Sequence, residues 1–173
     1  MSALSVFLRP WAAPSAWVGL VVGLGMAAHH PTAVALINES PSLPRGLYVR
    51  DFRGQPSPGA IVAISQPDVA RAYLGDRGMP ATVLLIKRVA AREGDRVCRT
   101  AERVVTPERT VVASLVDRNG AGLPQWRGCR VLGGGELFLL GDTAESFDSR
   151  YFGPVSASAV IGVARPIWLE ARP

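Results

Sequence analysis

Residues 82–91 read TVLLIKRVAA, and this run indicates how the chain folds. It is largely apolar and rich in branched side chains, which is typical of a strand buried inside a sheet. Side chains alternate between the two faces of a strand, so Leu85, Lys87 and Val89 are expected on one face. Lys87 would then project among apolar neighbours, where burial lowers the pKa of an amine because it disfavours the charged form.

Five further runs have strand character: residues 46–52, 60–65, 109–116, 136–140 and 159–169. Turn signals separate them, namely residues 54–59 with two prolines, Asn119-Gly120, and three glycines at 133–135. One short helix is expected near residues 67–74, with Gly75 at its end. The pattern contains no βαβ alternation and no repeat, so we expect one mainly antiparallel β domain.

Residues 11–28 read WAAPSAWVGLVVGLGMAA and carry no charge, which is close to the minimum length for a transmembrane helix. Arg9 precedes this run and no acidic residue occurs before Glu39, so the positive-inside tendency places residues 1–10 in the cytoplasm and exports the remainder. Residues 29–38 are expected to be a connector. A cleavable signal peptide and a buried core helix are the alternatives for the apolar run.

The composition excludes several classes of protein. Hydrophobic residues make up 48% of the 173 residues and charged residues 19%, so the chain is expected to fold as one domain. The net charge is +5, but the arginines are scattered singly and do not interleave with aromatic residues. Nucleic-acid binding is therefore not expected.

Ligands for a metal are scarce. His29 and His30 are the only histidines and lie at the end of the apolar run, which disfavours both a His-ligated metal site and a Ser-His-Asp triad. We expect no metal and no cofactor. Cys98 and Cys129 would form a disulfide in an oxidising compartment and would otherwise be two buried thiols.

Lys87 is the only lysine, whereas the other 18 of the 19 basic residues are arginine. Arginine is not deprotonated in proteins, but a lysine amine can become neutral and act as a general base. In water only about one lysine amine in 2,500 is neutral at pH 7, so a base at this position needs a lowered pKa. The alternative is that a lone lysine survives by accident in an arginine-rich chain.

A hydroxyl that such a base could serve occurs in residues 38–48, NESPSLPRGLY. Pro41 and Pro44 fix their own φ angles and restrict their neighbours, so Ser42 sits in a stiff loop and loses little entropy when it attacks. The Ser40 hydroxyl would assist the Ser42 N–H in stabilising an oxyanion. The alternative is a proline-rich linker with incidental serines.

A third polar segment, residues 141–154, reads GDTAESFDSRYFGP and follows an apolar strand. Asp148 and Arg150 would form a buried ion pair that orders this loop. Ser146 would hydrogen-bond the Lys87 amine and orient it. The alternative is a solvated turn.

Together, the three segments resemble the type I signal peptidases, and within that superfamily most closely the TraF-type conjugative-transfer peptidases. The nucleophile segment of that branch looks like Asn-x-Ser/Thr-x-Ser-x-Pro-x-Gly-x-Tyr, which is matched here by Asn38, Ser40, Ser42, Pro44, Gly46 and Tyr48. The other matches are Ile86-Lys87-Arg88-Val89 with Gly94-Asp95-Arg96-Val97, and Gly141-Asp142, Ser146, Asp148-Ser149-Arg150 and Gly153.

The resemblance implies a signal-peptidase-like antiparallel β domain behind one N-terminal transmembrane helix, with residues 29–173 as a periplasmic serine peptidase domain. It implies that the protein is a single-pass protein of the inner membrane that contacts the lipid bilayer. It also implies that Ser42 is the nucleophile and Lys87 the general base. Ser40 would be the oxyanion donor, and the supporting residues would be Ser146, Asp148 and Arg150.

Two departures from the usual signal peptidase pattern bear on the substrate. Leu43 stands where methionine is usual, and Thr143 follows Asp142 where asparagine is usual. Both favour the conjugative branch, whose substrates are exported pilin precursors, over a housekeeping signal peptidase. Other conjugation or secretion components would then be further partners, and the product would be released by hydrolysis or by cyclisation.

Two other interpretations remain. A self-cleaving repressor would also use a Ser/Lys pair, but it predicts a DNA-binding N-terminal domain where this chain has the apolar run 11–28. A membrane-anchored scaffold of a pilus or secretion complex would have no working site.

Overall fold

The fold consists of two antiparallel sheets, as seen in a computed structural model that describes residues 34–171. The larger sheet has the order β1-β2-β11-β3-β4-β9-β10, with strands Ala35–Asn38, Gly46–Asp51, Val160–Leu169, Ile61–Ile64, Leu85–Arg92, Glu136–Leu140 and Val155–Ser156. The smaller sheet has the order β7-β6-β5-β8, with strands Thr110–Val112, Arg103–Val105, Arg96–Thr100 and Gly128–Val131. The helical elements are α1 (Asp68–Gly75), α2 (Ser149–Phe152) and a 3₁₀ turn (Ala157–Ala159).

The expected class, mainly antiparallel β, is confirmed. Two of the predicted strands lose three or more residues at one end because backbone groups bond outside the ladder. The run 82–91 becomes a strand only at Leu85, because the Val83 N–H bonds to Pro80 in a turn. The run 109–116 stops at Val112, since the N–H of Ser114 is taken by the Tyr151 hydroxyl.

Five strands were not predicted: β1, β5, β6, β8 and β10. The expectation of a connector over residues 29–38 is wrong at its end, because Ala35–Asn38 pair with β2. The missed strands have two to five residues and little apolar alternation, as in β8, where all four residues are exposed. Ladder bonds supplied by distant strands decide such elements, so the local pattern does not reveal them.

Strand β4 occupies the centre of the larger sheet, between β3 and β9. Leu85 and Val89 belong to one core cluster together with Val62, and Val62 lies opposite Lys87 in the β3–β4 register. Ile86, on the other face, packs with a second cluster that contains Leu43 of the loop between β1 and β2. Both faces of β4 are therefore covered, and apolar side chains of β3 and β4 flank Lys87.

Two expectations concern regions outside this core. Cys98 in β5 and Cys129 in β8 are register partners, and their sulfur atoms are bonded at 2.03 Å.

The expected cytoplasmic segment 1–10 and the apolar run 11–28 lie outside the described residues. Within residues 34–171, no helix combines the length and apolarity needed to cross a bilayer.

The start of β2 supplies a test of the close contact between β2 and β11. Gly46 has φ +146°, and a Cβ there would overlap the Trp168 carbonyl oxygen and lie 2.8 Å from the Leu169 Cα. Gly46→Ala should therefore lower the free energy of unfolding by about 2–4 kcal/mol. Gly59→Ala is the matched control, because Gly59 also has a positive φ (+82°) but a Cβ added there would meet no atom within 4 Å. Gly59→Ala should lower the free energy of unfolding, measured by urea denaturation, by only about 1 kcal/mol. Equal losses for the two variants would contradict the close contact between β2 and β11.

A second test concerns the two cysteines. Thiol labelling of the denatured, non-reduced protein should modify neither Cys98 nor Cys129, because their sulfur atoms are bonded to each other. Labelling after reduction is the control and should modify both. Two labelled thiols without reduction would contradict the pairing.

Candidate active site

The loop between β1 and β2 is held by the side chain of Asn38. The Asn38 Nδ2 lies 3.0 Å from the carbonyl oxygen of Ser40 and 3.1 Å from those of Leu43 and Pro44, to which it donates. The Asn38 Oδ1 accepts from the Ser40 N–H at 3.3 Å. One buried amide thus contacts backbone on both sides of Ser42 and fixes the curvature of the loop.

Two side chains seat this loop on the sheet. The Tyr48 hydroxyl donates to the Pro44 carbonyl oxygen at 2.6 Å, and the Tyr48 ring is fully buried in β2. Leu43, immediately after Ser42, is 2% exposed and packs against Ile86 of β4. The nucleophile segment is consequently docked on the strand that carries the lysine.

Ser42 and Lys87 meet although 45 residues separate them in the chain. The Lys87 Nζ lies 2.9 Å from the Ser42 Oγ, to which it donates. Lys87 is 5% exposed and Ser42 is 4% exposed. The Ser40 Oγ donates to the Ser42 Oγ at 2.9 Å and accepts from the Ser42 N–H at 3.2 Å. The structure therefore brings together all three of these predicted site residues.

The environment of Lys87 lowers the pKa of its amine and so raises the neutral fraction. Burial lowers the pKa of Lys87 from 10.5 to about 8; the nearby Asp148 carboxylate opposes this change, and the Arg150 guanidinium adds to it. With a pKa of about 8, roughly one amine in ten is neutral at pH 7, compared with about one in 2,500 in water. The arrangement supplies a hydroxyl and a proton acceptor within hydrogen-bonding distance.

Asp148 and Arg150 form the expected ion pair, and it is bidentate. The Arg150 Nε and Nη2 donate to the two Asp148 oxygens at 2.8 and 3.0 Å, and both side chains are at most 1% exposed. Asp148 also accepts from the backbone N–H of Gly141 at 2.7 Å and of Arg150 at 3.0 Å. The carboxylate thereby closes the polar loop onto the end of β9.

Arg150 also holds the rest of this loop. Its guanidinium donates to the carbonyl oxygens of Ala144 at 2.7 Å and Thr143 at 3.1 Å. Arg99 of β5 donates to the Arg150 carbonyl oxygen, which joins the loop to the smaller sheet. The alternative of a solvated turn does not hold, because the residues at 148–150 are buried and Ser149 begins the one-turn helix α2.

Ser146 lies in the same cleft as Ser42 and Lys87, but it does not make the predicted hydrogen bond to Lys87. Its hydroxyl is buried and has no hydrogen-bonding partner among residues 34–171. The side chain packs instead against Gly141, where a Cβ would lie 2.6 Å from the Ser146 Cβ. The absence of a side chain at Gly141 is therefore what leaves room for Ser146.

Sequence reasoning missed a second ion pair that links the three segments. Arg88, next to Lys87, donates to both carboxylate oxygens of Asp142 at 3.0 and 2.9 Å. The Asp142 N–H donates to the Ser42 carbonyl oxygen at 2.6 Å. The only available signal was that Arg88 and Asp142 both belong to the matched segments. Together these contacts fix β4, the segment 141–154 and the loop around Ser42 in position relative to one another.

The cleft around these groups has a volume of about 380 Å³. Its polar lining includes Ser40, Ser42, Lys87 and Ser146, and its apolar lining includes Leu74, Met79, Val83, Leu84, Leu85 and Ile86. Cys98 and Cys129 lie outside it. Over residues 34–171, no group of three or more His, Cys, Asp or Glu side chains is placed to hold a metal ion.

Comparison with known proteins identifies the family. The family model described as signal peptidase, peptidase S26, matches residues 11–169. The "Conjugal transfer protein TraF" of Agrobacterium fabrum (strain C58 / ATCC 33970) is 37% identical over 144 residues, which cover 76% of this chain and 81% of that protein. The "Plasmid transfer protein TraF" of Escherichia coli is 33% identical over 150 residues, covering 78% and 83%.

A crystal structure of a signal peptidase I from Enterococcus faecalis V583 aligns at a TM-score of 0.39 and 20% identity, covering 64% of this chain and 97% of that one, and the assignment does not depend on it. The family match and the identity with the two TraF relatives are sufficient. The chain belongs to the signal peptidase family, peptidase S26, as a TraF-type member.

Proposed function

We propose that this protein is a serine endopeptidase that uses a Ser42/Lys87 dyad to process an exported precursor protein in conjugation. Membership of the peptidase S26 family supports a serine-type peptidase, and the TraF relatives support a role in conjugation. The observation that carries the proposal is the 2.9 Å contact between the Lys87 Nζ and the Ser42 Oγ inside a cleft.

The first step begins with a tetrahedral intermediate. Neutral Lys87 takes the proton of the Ser42 hydroxyl while the Oγ attacks the carbonyl carbon of the scissile peptide bond. The oxyanion that develops accepts hydrogen bonds from the Ser42 N–H and the Ser40 hydroxyl. In the free protein the Ser42 N–H donates to Ser40 and the Ser40 hydroxyl donates to Ser42. The bound substrate would take over both donors.

Collapse of this intermediate forms the ester: the Lys87 ammonium gives its proton to the leaving amine, and the C–N bond breaks to leave the acyl group on Ser42. The second step resolves the ester. Neutral Lys87 removes a proton from the acceptor as it attacks the ester carbonyl, and the resulting ammonium returns that proton to the Ser42 Oγ as the C–O bond to Ser42 breaks. Water as the acceptor gives hydrolysis, whereas the amino group of the same substrate gives a cyclic product. Both routes fit the dyad.

Supporting roles follow from the contacts of the third segment. The Asp148–Arg150 pair fixes the loop, and the Asp148 carboxylate moderates the fall in the Lys87 pKa. The Ser146 hydroxyl has no partner among the described residues and faces the same cleft, so a rotamer change would let it bond the Lys87 amine when substrate binds. This would orient the lone pair of the amine toward Ser42.

The substrate and the location are part of the proposal. We infer a pilin-like precursor, because Leu43 and Thr143 depart from the housekeeping pattern and the relatives are conjugation proteins. The apolar residues 11–28 would anchor the chain in the inner membrane and place the cleft on the periplasmic side. An anchored enzyme would meet precursors that are themselves tethered to the bilayer.

Substitution of the dyad tests the proposal. Ser42→Ala and Lys87→Ala should each reduce processing of a pilin-like precursor encoded beside this protein by at least about 10⁴-fold. Lys87→Arg should be equally inactive, because a guanidinium does not give up its proton. The precursor is incubated with the detergent-solubilised full chain, and its intact mass is then measured. The mass would show the loss of the leader and, for cyclisation, the loss of one further water.

Graded controls separate chemistry from folding. Ser40→Ala should lose only about 10²–10³-fold, since it removes one oxyanion donor. Ser57→Ala, at an exposed serine outside the cleft, should process normally. Each inactive variant should retain the thermal unfolding midpoint of the parent protein. Complete processing by Ser42→Ala or by Lys87→Arg would refute the dyad.

The pH dependence gives an independent check. Because the active form of Lys87 is the neutral amine and its pKa is lowered to about 8, kcat/KM should rise tenfold per pH unit below about 8 and level off above it. The measurement is kcat/KM of the parent protein from about pH 5.5 to about pH 10. A rate that continues to rise toward the ordinary lysine pKa of about 10.4 would show that Lys87 is not perturbed, and a flat profile would exclude it as the base.

A further inference from the structure

A second cavity, of about 470 Å³, lies beside the catalytic cleft. Pro41, Glu145 and Phe147 line both spaces, so the two adjoin at these residues. Pro41 directly precedes Ser42. A polypeptide lying across the nucleophile would therefore reach the second cavity within a few residues, since an extended chain advances about 3.3 Å per residue.

A stack of three aromatic rings lines part of this cavity. The Tyr73 and Phe147 centroids lie 4.5 Å apart at 17°, and those of Phe147 and Tyr151 lie 5.5 Å apart at 8°. The Tyr73 hydroxyl donates to Asp117 at 3.0 Å, and the Tyr151 hydroxyl accepts from the Ser114 N–H at 3.3 Å. The Arg77 guanidinium lies over the Tyr73 ring, 3.6 Å from its centroid. The outer rings are thus held in place, so this part of the lining is preorganised.

The walls expose apolar side chains to solvent. Val112 is 59% exposed and Val116 is 51% exposed, and Leu123 stands beside them half-buried. Exposed apolar groups gathered around a concave surface are typical of a binding site. The position of this group next to the cleft favours the substrate as its ligand.

The charged groups of the cavity cancel. Arg77 binds Asp117 with an N–O distance of 2.6 Å, and Arg118 faces Glu145 at 3.5 Å. Two guanidinium groups and two carboxylates leave the rim without net charge. A strongly charged segment would gain no Coulomb attraction here and would lose hydration, so the site favours an uncharged segment.

We propose that this cavity, which we call the α1 subsite (Tyr73, Val116, Leu123, Phe147 and Tyr151), binds an uncharged, apolar stretch of the precursor a few residues from the bond held at Ser42. The proposal rests on the proposed peptidase function. It adds a second point of recognition to the cleft and would let the enzyme select one precursor among exported proteins that carry similar cleavage sites.

A charge placed in the α1 subsite tests this. Val116→Asp should raise the KM for the pilin-like precursor by about tenfold and leave kcat unchanged, because an apolar segment would have to desolvate the new carboxylate. Val105→Asp is the matched control, since Val105 is 42% exposed in β6 and lines neither cavity. An unchanged KM for Val116→Asp, or an equal rise for both variants, would overturn the proposal.

Photocrosslinking identifies what occupies the subsite. Val116→Cys in a Ser42→Ala background adds one free thiol, because Cys98 and Cys129 are bonded to each other. Labelled with a benzophenone maleimide, this full-length variant should attach to an apolar, uncharged stretch of the precursor, mapped by mass spectrometry. The same label at Ser57→Cys, which lines neither cavity, should not. Attachment only to residues of this chain, or no attachment, would overturn the subsite.

The two proposals fail in different ways. Failure of the parent protein to cleave the precursor would overturn the peptidase function and the α1 subsite with it. Cleavage by the parent protein together with an unaltered KM and no crosslink would overturn the subsite alone and leave the Ser42/Lys87 dyad in place.

Discussion

The Lys87 amine lies 2.9 Å from the Ser42 hydroxyl with almost no access to solvent, and an ammonium ion at such a place is costly. Burial lowers the Lys87 pKa to about 8 and so increases the share of neutral amine, which is the form that a general base requires. A nearby carboxylate, that of Asp148, keeps the change in pKa moderate. Burial of Lys87 in the central strand thus costs stability at neutral pH but supplies the chemistry, provided that Ser42 is held against the amine.

Two ion pairs hold the parts of the site in place. The Arg88–Asp142 pair connects the lysine strand to the third segment, whose Asp142 N–H bonds to the Ser42 carbonyl oxygen. The Asp148–Arg150 pair closes that segment on itself. Loss of one partner from the buried pair would leave an uncompensated charge in the interior, so these residues belong to the fold as much as to the site.

Local sequence was informative where one residue type had few physical alternatives. A lone lysine in an apolar run, a serine between two prolines and a carboxylate two residues before an arginine all took the expected places. It was uninformative where partners decide the outcome: β8 is exposed throughout and forms only because β5 pairs with it. Ser146 was identified but its contact was not, because the side chain packs against Gly141.

The sequence by itself determined that this chain is a mainly antiparallel β protein with a stiff serine loop and a single lysine in an apolar strand, because proline geometry, side-chain alternation and composition are local properties. Only the tertiary structure decided that Lys87 reaches Ser42 across 45 residues, that Asp142 joins the Ser42 loop to Arg88, and that a stack of aromatic rings lies beside the cleft. Those distances depend on strand register and on the packing of loops from separate parts of the chain, and no local pattern encodes them.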